Sequence, residues 1–369
     1  MAVGLPLKTT YADGDVYSAS DVNDTNGTIN ANVNPFTAGK NKIINGDFYV
    51  NQRGFTSGTS YDYGFDRFVN AVGGGTGTAT FSAQTFTPGT APVAGYEGKN
   101  YIRCVTTGQT AAGTFTIFQQ NIEDVRTLAG QTATISFWAK AATGTPKIFA
   151  EFEQGFGSGG SANVNIGNSV TISTSWARYS VTLSVPSISG KTIGSSSLLS
   201  LLLWVSGGSS FNTRTGSLGI QSNTFEIWGV QVEAGSTATP FQTATGTIQG
   251  ELAACQRYYY RANANGTPYG KTSMGGGNSS TAYWGDTDFP VAMRVAPTAV
   301  DTSTLSNYRI FNYADTTAGT PTAIVLDTNI STNTNGRTLW TTSGLTANVL
   351  YYSRGNNTAS SYLGFSAEL

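Results

Sequence analysis

The sequence contains no histidine among its 369 residues, and only 11% of them are charged. Without histidine there can be no histidine-based acid–base pair, no Ser-His-Asp triad and no histidine-ligated metal site. The 20 Lys+Arg against 21 Asp+Glu give a net charge of −1. This balance leaves no basic excess to displace counterions from nucleic acid, so we expect no nucleic-acid partner.

Cysteine and long apolar runs are also scarce. Cys104 and Cys255 lie far apart and neither belongs to a CxxC pattern, so we expect two buried free thiols. The first residues, MAVGLPLKTTYADGD, have neither the basic start nor the apolar centre of a signal peptide. The apolar run Leu198–Val205 is shorter than the ~20 residues that span a bilayer. We therefore expect synthesis in a cytoplasm and no membrane insertion.

Residues 1–40 differ from the rest of the chain, because they lack a large apolar cluster. Val22 and Ile29 are spaced to share one helical face, but Gly27 and several asparagines weaken such a helix. A terminus that cannot bury itself is more often ordered by a partner. We predict a short extended or helical N-terminal arm that attaches the protein to something else.

From Asn41 onward the sequence becomes typical of β-strands. Apolar and polar residues alternate over Gln131–Ala139 and Arg178–Val185, the pattern of half-buried strands. In Phe225–Glu233 the alternation shifts by one residue near Gly229, which predicts a β-bulge. Gly/Ser/Thr clusters separate these runs, so we predict an all-β fold with an antiparallel, jelly-roll-like β-sandwich over residues 41–245.

A polar linker follows, and residues 246–369 show the features of a smaller C-terminal β-domain. GELAACQRYYYR, from Gly250 to Arg261, predicts one helical turn leading into a strand. Further short strands are predicted at Ala282–Trp284, Val291–Val295, Arg309–Asn312, Val349–Tyr352 and Tyr362–Phe365.

Paired carboxylates are the remaining route to catalysis, since glycoside cleavage needs only two Asp/Glu residues. The candidates are Glu123-Asp124, Glu151 with Glu153, and Glu226 with Glu233. Such pairs are common by chance on exposed strand faces, and no glycine-rich loop joins a strand to a helix as a phosphate site requires. We therefore expect no enzymatic activity, no cofactor and no metal.

Aromatic side chains offer a second kind of chemistry, because sugar-binding surfaces stack pyranose rings on exposed Trp or Tyr. Trp138 and Trp176 lie opposite the main apolar set of their strands. They are therefore either exposed or covered by a second packing layer. Tyr258–Tyr260 and Trp284 are similar candidates in the C-terminal region, although core or sheet-edge packing is the favoured explanation for each of them.

Several blocks of the sequence resemble a module of tailed-bacteriophage structural proteins. They are NKIINGDFYVNQRG from Asn41, IEDVRTLAGQTATISFWAKA from Ile122, WARYSVTLSVPSISGKTIG from Trp176 and IWGVQVEAGSTATPF from Ile227 into GELAACQRYYYR. DFPVAMRVAPT from Asp288 and the final SAEL are similar to C-terminal segments of such proteins, and YADGDVYSASDVNDTNGTINAN resembles their attachment segments.

The resemblance implies a phage tail fibre or minor tail protein located in the virion, with a carbohydrate-binding-like jelly roll and a distal β-domain. Such fibres are usually homotrimers that contact the host surface, and the family supplies no catalytic residues. The resemblance also implies that Asp47, Asp66 and Arg67 tie loops to strands, and that Trp138 and Trp228 pack between the sheets.

The sequence therefore favours a virion protein that attaches through residues 1–40 and binds host surface polysaccharide through an exposed tip, residues 246–369. A structural collar, baseplate or capsid-decorating protein without a receptor remains the alternative, and a polysaccharide depolymerase is the least favoured. The expected glycan contacts are Trp284, Tyr258, Tyr260 and Trp176. The expected particle-attachment residues are Tyr11, Asp13, Asp15, Val16, Asp21 and Val22.

Overall fold

The computed structural model describes residues 37–75, 77–93 and 96–369, and their regular structure is almost entirely β-strand. The strands pair antiparallel throughout this described part. The predicted all-β class is therefore confirmed. Most of the predicted arm lies outside the described residues, as do its attachment residues Tyr11, Asp13, Asp15, Val16, Asp21 and Val22.

The first part of the fold is a sandwich of two six-stranded sheets. Its strands are β1 (Ser57–Gly58), β2 (Asp62–Tyr63), β3 (Val69–Gly73), β4 (Thr78–Thr85), β5 (Asn100–Thr107), β6 (Phe115–Ile122), β7 (Thr132–Ala141), β8 (Lys147–Gly155), β9 (Val164–Thr171), β10 (Ala177–Ser184), β11 (Leu198–Gly207) and β12 (Thr224–Ala234). Sheet I has the order β1-β4-β5-β12-β7-β10 and sheet II the order β2-β3-β6-β11-β8-β9. The chain crosses repeatedly between the sheets, which gives the predicted jelly-roll-like sandwich.

Alternation along the strands builds the core between sheets I and II. Ala133, Ile135 and Phe137 of β7 point inward and are fully buried, as the sequence pattern predicts. The phase shift predicted at Gly229 is also confirmed, because the pairing of β12 with β7 shifts register between Trp228 and Gln231. Gly229 has a φ of 63°, a left-handed conformation that a residue without a Cβ adopts readily.

The resemblance implied that Trp138 and Trp228 pack between the sheets. The structure places them elsewhere. They are cross-strand partners on the outer face of sheet I, because Phe137 and Ala139 already occupy the inward positions of β7. Phe241 covers the pair, with its ring centroid 5.0 Å from that of Trp228. The outer face of sheet I therefore carries a second apolar layer.

The C-terminal part of the fold begins with a helix and continues as two sheets. Its strands are β13 (Tyr259–Ala262), β14 (Lys271–Gly277), β15 (Ala282–Asp288), β16 (Ala299–Thr302), β17 (Tyr308–Asn312), β18 (Thr317–Gly319), β19 (Ala323–Leu326), β20 (Asn335–Thr341), β21 (Leu350–Gly355) and β22 (Leu363–Ser366). Sheet III has the order β13-β22-β16, and sheet IV the order β18-β17-β21-β14-β15-β20-β19. A separate hydrophobic core, which includes Tyr283, Trp340 and Phe365, fills the space between them.

The helices of the described part are short. They are α1 (Asn212–Thr215), α2 (Ile248–Gln256) and the 3-10 turns Ser209–Phe211 and Leu305–Asn307. The helical turn predicted after Gly250 is observed as the longer α2, whose N-cap Thr247 accepts a hydrogen bond from Gly250 N at 3.0 Å. The strand predicted after it is β13.

One predicted strand is wrong. Val291–Val295 is irregular, and its backbone donates to separate partners: Met293 N to Asn333 O at 2.6 Å and Arg294 N to Arg257 O at 2.7 Å. Pro290 and Pro297 bracket the segment, and proline cannot donate to a strand ladder. The other four predicted strands correspond to β15, β17, β21 and β22.

Buried polar groups hold the C-terminal part against the sandwich. Arg67 is fully buried, stacks its guanidinium 3.4 Å from the ring of Tyr258 and forms an ion pair with Glu368. Glu251 of α2 is also buried and accepts a hydrogen bond from Asn45 N at 2.7 Å. As the resemblance implied, Asp66 ties a loop in place, since it accepts hydrogen bonds from the backbone and side chain of Gln52.

Both cysteines are buried and unpaired, as expected from their separation. Burial raises the pKa of the Cys104 and Cys255 thiols, which keeps them protonated. No helix in the described part of the chain is long and apolar enough to cross a membrane.

Candidate functional site

The outer face of sheet IV carries a row of apolar side chains that the C-terminal core does not use. Tyr283, Trp340 and Tyr351 point inward, so the residues that alternate with them point to the other face. Strand register aligns one outward residue from each of five neighbouring strands. The row is Val325, Leu339, Trp284, Gly276 and Leu350. We call this row the apolar row.

Trp284, at the centre of the apolar row, is half-buried but differs from the other five tryptophans. Each of those five contacts an aromatic ring in the described structure. The ring centroids of Trp176 and Phe86, for example, are 5.6 Å apart. Within the described residues, Trp284 has no aromatic or cationic partner, and its indole N–H donates no hydrogen bond. An indole left without partners is available to a ligand.

Gly276 leaves space beside this indole. It is the cross-strand partner of Trp284, and a Cβ added at Gly276 would meet no atom within 4 Å. On its other side the row continues to Leu350, which is 59% exposed. The sheet surface beside Trp284 is therefore open, and we call the surface formed by Trp284 and Gly276 the platform.

A polar groove of about 420 Å³ lies next to the platform. Tyr260, Lys271, Asp286 and Asp288 are among its lining residues. Asp286 follows Trp284 by two residues on the same face of β15, roughly 7 Å away. The Arg337 guanidinium binds Asp286 with two hydrogen bonds, of 2.8 and 3.0 Å, so this carboxylate is held in a fixed position.

Two of the four expected glycan contacts lie at the surface of the C-terminal part, at separate places. Trp284 lies on the platform and Tyr260 lines the groove, where its ring packs 5.8 Å from that of Phe289. Burial raises the pKa of Tyr260, so its hydroxyl remains a hydrogen-bond donor.

The other two expected contacts lie elsewhere. Tyr258 is 4% exposed and one face of its ring is covered by Arg67, so it offers no surface for stacking. Trp176 belongs to the sandwich, where Phe86, Tyr101 and Lys140 surround it. The structure therefore does not bring Tyr258 or Trp176 to the platform.

Glu151 and Glu153, considered as a catalytic pair, share one arginine. Arg214, which belongs to α1, binds Glu151 at 2.8 Å and Glu153 at 2.6 Å. Trp204 Nε1 also donates to Glu151 at 2.6 Å. Both carboxylates are therefore held by partners within the protein.

The remaining carboxylate candidates also have protein partners. Glu226 pairs with Arg103 and Lys140, and Glu233 accepts hydrogen bonds from Gln231 and Thr239. Glu123 binds Arg257 at 3.0 Å in an open groove between the sandwich and the C-terminal part. Within the described residues, no group of three Cys, Asp or Glu is placed to hold a metal ion.

Gly276 and Lys271 were not predicted as site residues. Both belong to β14, whose sequence KTSMGGG combines three glycines with few apolar residues and therefore lacks the pattern of a strand. Their position beside Trp284 depends on the strand order β14-β15 and its register, which no short-range pattern specifies.

Comparison with known proteins gives similarity at the level of solved structures only. No protein-family model matches the sequence, and no curated protein does. A domain of Bacteriophage CBA120 tailspike protein 4, described as enzymatically active, has 15% identity over 53% of this chain and 21% of that chain, with a TM-score of 0.32. The chain thus spans about a fifth of the length of that tailspike chain.

Two carbohydrate-binding modules are also similar. The family 11 module from Clostridium thermocellum, in complex with a β-1,3-1,4-mixed-linked tetrasaccharide, has 14% identity over 50% of this chain and 99% of that chain, with a TM-score of 0.31. TmCBM61, in complex with β-1,4-galactotriose, has 10% identity over 53% of this chain and 99% of that chain, with a TM-score of 0.28. Similarity this low assigns neither a ligand nor an activity to the present chain.

Proposed function

We propose that this protein is a virion component of a tailed bacteriophage, a tail fibre that binds host surface glycans through the outer face of sheet IV. The observation that carries the proposal is Trp284, which alone among the six tryptophans has no partner in the described structure and lies beside the open surface at Gly276. The apolar face of a pyranose ring would stack on the indole. Polar groups in the groove, including Asp286 and Asp288, would bind its hydroxyls.

The sequence blocks that resemble phage tail proteins support the location in the virion. They also support attachment through residues 1–40 and assembly as a homotrimer. A single shallow platform binds weakly, but three copies in a trimer and several fibres on one particle raise the effective concentration of sites. Strong attachment to a cell therefore does not require a deep pocket.

The test measures binding of the purified full chain to an array of bacterial capsular, O-antigen and teichoic-acid polysaccharides. Trp284→Ala is expected to weaken binding roughly tenfold, because truncation of a central aromatic contact costs at least about 1–2 kcal/mol. Gly276→Val is expected to weaken binding too, since its side chain would extend into the space beside the indole, where an added Cβ meets no atom within 4 Å. Trp176→Ala, in the sandwich, serves as the control and should retain binding.

Absence of binding to every polysaccharide, or full binding by Trp284→Ala, would contradict the proposal. An equal loss of polysaccharide binding in Trp176→Ala and Trp284→Ala would mean that the binding site is not at Trp284.

A structural role without a receptor is the second candidate, and one observation favours it. Val325 and Leu350, at opposite ends of the apolar row, are 57% and 59% exposed, and an exposed apolar surface is also typical of a subunit interface. In that case Trp284→Ala would change the oligomeric state. Sedimentation of the wild type and the variant therefore separates the two functions, since a binding role predicts equal sedimentation.

A further inference from the structure

Three basic side chains lie side by side on the outer face of sheet IV. Lys271 of β14 is the register partner of Arg354 of β21, and Arg354 is in turn the partner of Arg309 of β17. The strands are adjacent in the order β17-β21-β14, so the three residues form a continuous line across the sheet. We call this line the basic row.

The basic row carries little compensating negative charge. Arg354 lies 3.4 Å from the carboxylate of Asp315, whose side chain is 63% exposed. Within the described residues, neither Lys271 nor Arg309 has a carboxylate within 4.0 Å. Arg309 donates to the hydroxyl of Thr320, which is a neutral partner.

Two further acidic residues of this face, Asp286 and Asp288, belong to β15, the strand next to β14. Asp286 is bound by Arg337, and Asp288 accepts a hydrogen bond from Asn335 at 2.9 Å. The hydrogen bond to Asp286 and the negative charges of Asp286 and Asp327 raise the pKa of Arg337. Asp286 and Asp288 line the groove together with Lys271, but each already has a protein partner, so Asp315 is the carboxylate paired with the basic row itself.

Like charges directly opposite each other on neighbouring strands destabilise a sheet. Arg354 offsets part of this cost by stacking on Phe311, with its guanidinium carbon 4.0 Å from the ring centroid. Lys271 and Arg309 have no comparable ring contact in the described structure. An arrangement of three cations that costs stability and has one exposed carboxylate, Asp315, as its ion-pair partner is a candidate for binding an external anion.

The basic row and the platform are close enough for one chain-like ligand to contact both. Leu350, at the end of the apolar row, and Arg354 lie on the same face of β21 and are four residues apart, a separation of roughly 14 Å. Lys271 also lines the groove next to the platform. A polysaccharide lying on Trp284 would therefore extend over at least one of the cations.

We propose that the glycan bound by this face is acidic, with a sugar ring on Trp284 and a carboxylate of a neighbouring sugar at the basic row. This inference rests on the proposed function and names the chemical class of its ligand. Arginine and lysine bind carboxylates through charge-assisted hydrogen bonds, and arginine adds a planar fork that matches the carboxylate geometry. Neutral glycans would use the platform alone and bind more weakly.

The test compares ligands that differ only in charge. The probes are oligogalacturonate, its methyl ester, oligosialic acid and neutral dextran oligosaccharides, measured by titration calorimetry at low and high salt. We expect oligogalacturonate to bind more tightly than its ester, and high salt to remove this difference. The double variant Lys271→Gln/Arg309→Gln should weaken binding of the acidic probes about twofold to fivefold for each charge removed, and leave the neutral probes unchanged.

A matched control removes two positive charges from the sandwich. Lys147→Gln/Lys191→Gln alters two exposed lysines and should bind every probe as the wild type does. The Lys271→Gln/Arg309→Gln variant should also unfold at the same temperature as the wild type or a higher one, because it relieves repulsion between neighbouring strands.

The outcomes distinguish the acidic class of the ligand from the proposed glycan-binding function itself. Equal binding of acid and ester, with no effect of the Lys271→Gln/Arg309→Gln variant, overturns the acidic class and leaves the proposed function standing. Absence of binding to all probes overturns both. Binding of duplex DNA as tightly as of oligogalacturonate, with no effect of Trp284→Ala, would mean a general polyanion surface and would also overturn both.

Discussion

Trp138 and Trp284 occupy equivalent positions in their strands, since each lies opposite the inward-facing residues. Trp138 is nevertheless covered, because Phe241, about a hundred residues away in the chain, packs against it and Trp228. Trp284 faces Gly276 instead and has no cover. Alternation along the strand therefore predicts the sheet face on which each tryptophan lies, whereas tertiary contacts decide which tryptophan is left uncovered.

The Asp47–Tyr96 contact gives a pH-dependent prediction at the residue scale. Burial raises the pKa of Asp47, and the hydroxyl of Tyr96, which donates to it at 2.7 Å, opposes this rise. Tyr96→Phe removes a hydrogen bond to a charged group. We expect the free energy of unfolding to fall by about 1.5 kcal/mol at pH 7.

The sign of the pH effect follows from the raised pKa. As pH rises above the ordinary value of 3.8, the unfolded chain ionises Asp47 before the folded chain does, so stability falls until the folded pKa is passed. In Tyr96→Phe this fall should extend to higher pH, while below about pH 4 the variant and the wild type should converge. Urea unfolding at several pH values checks this, and a pH-independent difference would contradict it.

At the scale of the strand, substitution of two glycines by alanine is expected to change the stability of the fold in opposite directions. Gly229 has a φ of 63°, and an added Cβ would lie 2.7 Å from Cε3 of Trp138, so Gly229→Ala should destabilise the fold by more than about 1 kcal/mol. Gly276 has open space and no left-handed φ. Gly276→Ala should be neutral or stabilise the fold by up to about 1 kcal/mol.

Denaturant unfolding of the two alanine variants checks both predictions. A loss of stability in Gly276→Ala would mean that the space beside Trp284 is occupied in solution. The surface beside Trp284 would then not be open to a ligand.

Strand patterns could be read from the sequence where one face was apolar and the other polar. β7 and β10 were predicted on this basis, and so was the bulge at Gly229. β14 could not be predicted, because its glycines give no alternation, and Val291–Val295 was predicted wrongly from its apolar composition. The platform and the basic row require the order of strands in sheet IV, which depends on long-range pairing.

At the scale of the whole molecule, the sandwich and the C-terminal part are joined by a buried charge network. Arg67 reaches Glu368 and also donates to Asn121 O at 2.5 Å, while Arg53 binds Glu368 at 3.2 Å. Gln52 Nε2 donates to Tyr259 O at 2.9 Å. These contacts fix the direction in which the outer face of sheet IV points relative to the sandwich.

Arg67→Met is expected to weaken this junction strongly. It keeps most of the side-chain volume but leaves the buried Glu368 with Arg53 as its remaining cation, and breaking a buried pair costs about 3–5 kcal/mol. Arg126→Met, at a residue that is 61% exposed, is the control and should change stability by less than about 0.5 kcal/mol. Equal stability of the two variants in urea unfolding would show that the junction does not depend on the buried pair.

The central claim is that a glycan lies on Trp284, and 19F NMR of protein labelled with 5-fluorotryptophan tests it most directly. The six tryptophans give six signals, and the one missing in Trp284→Phe belongs to Trp284. We expect addition of the tightest-binding polysaccharide of the array to shift the Trp284 signal and to leave the five covered tryptophans nearly unchanged. A bound polysaccharide that leaves Trp284 unshifted, or that shifts Trp176 instead, would contradict the claim.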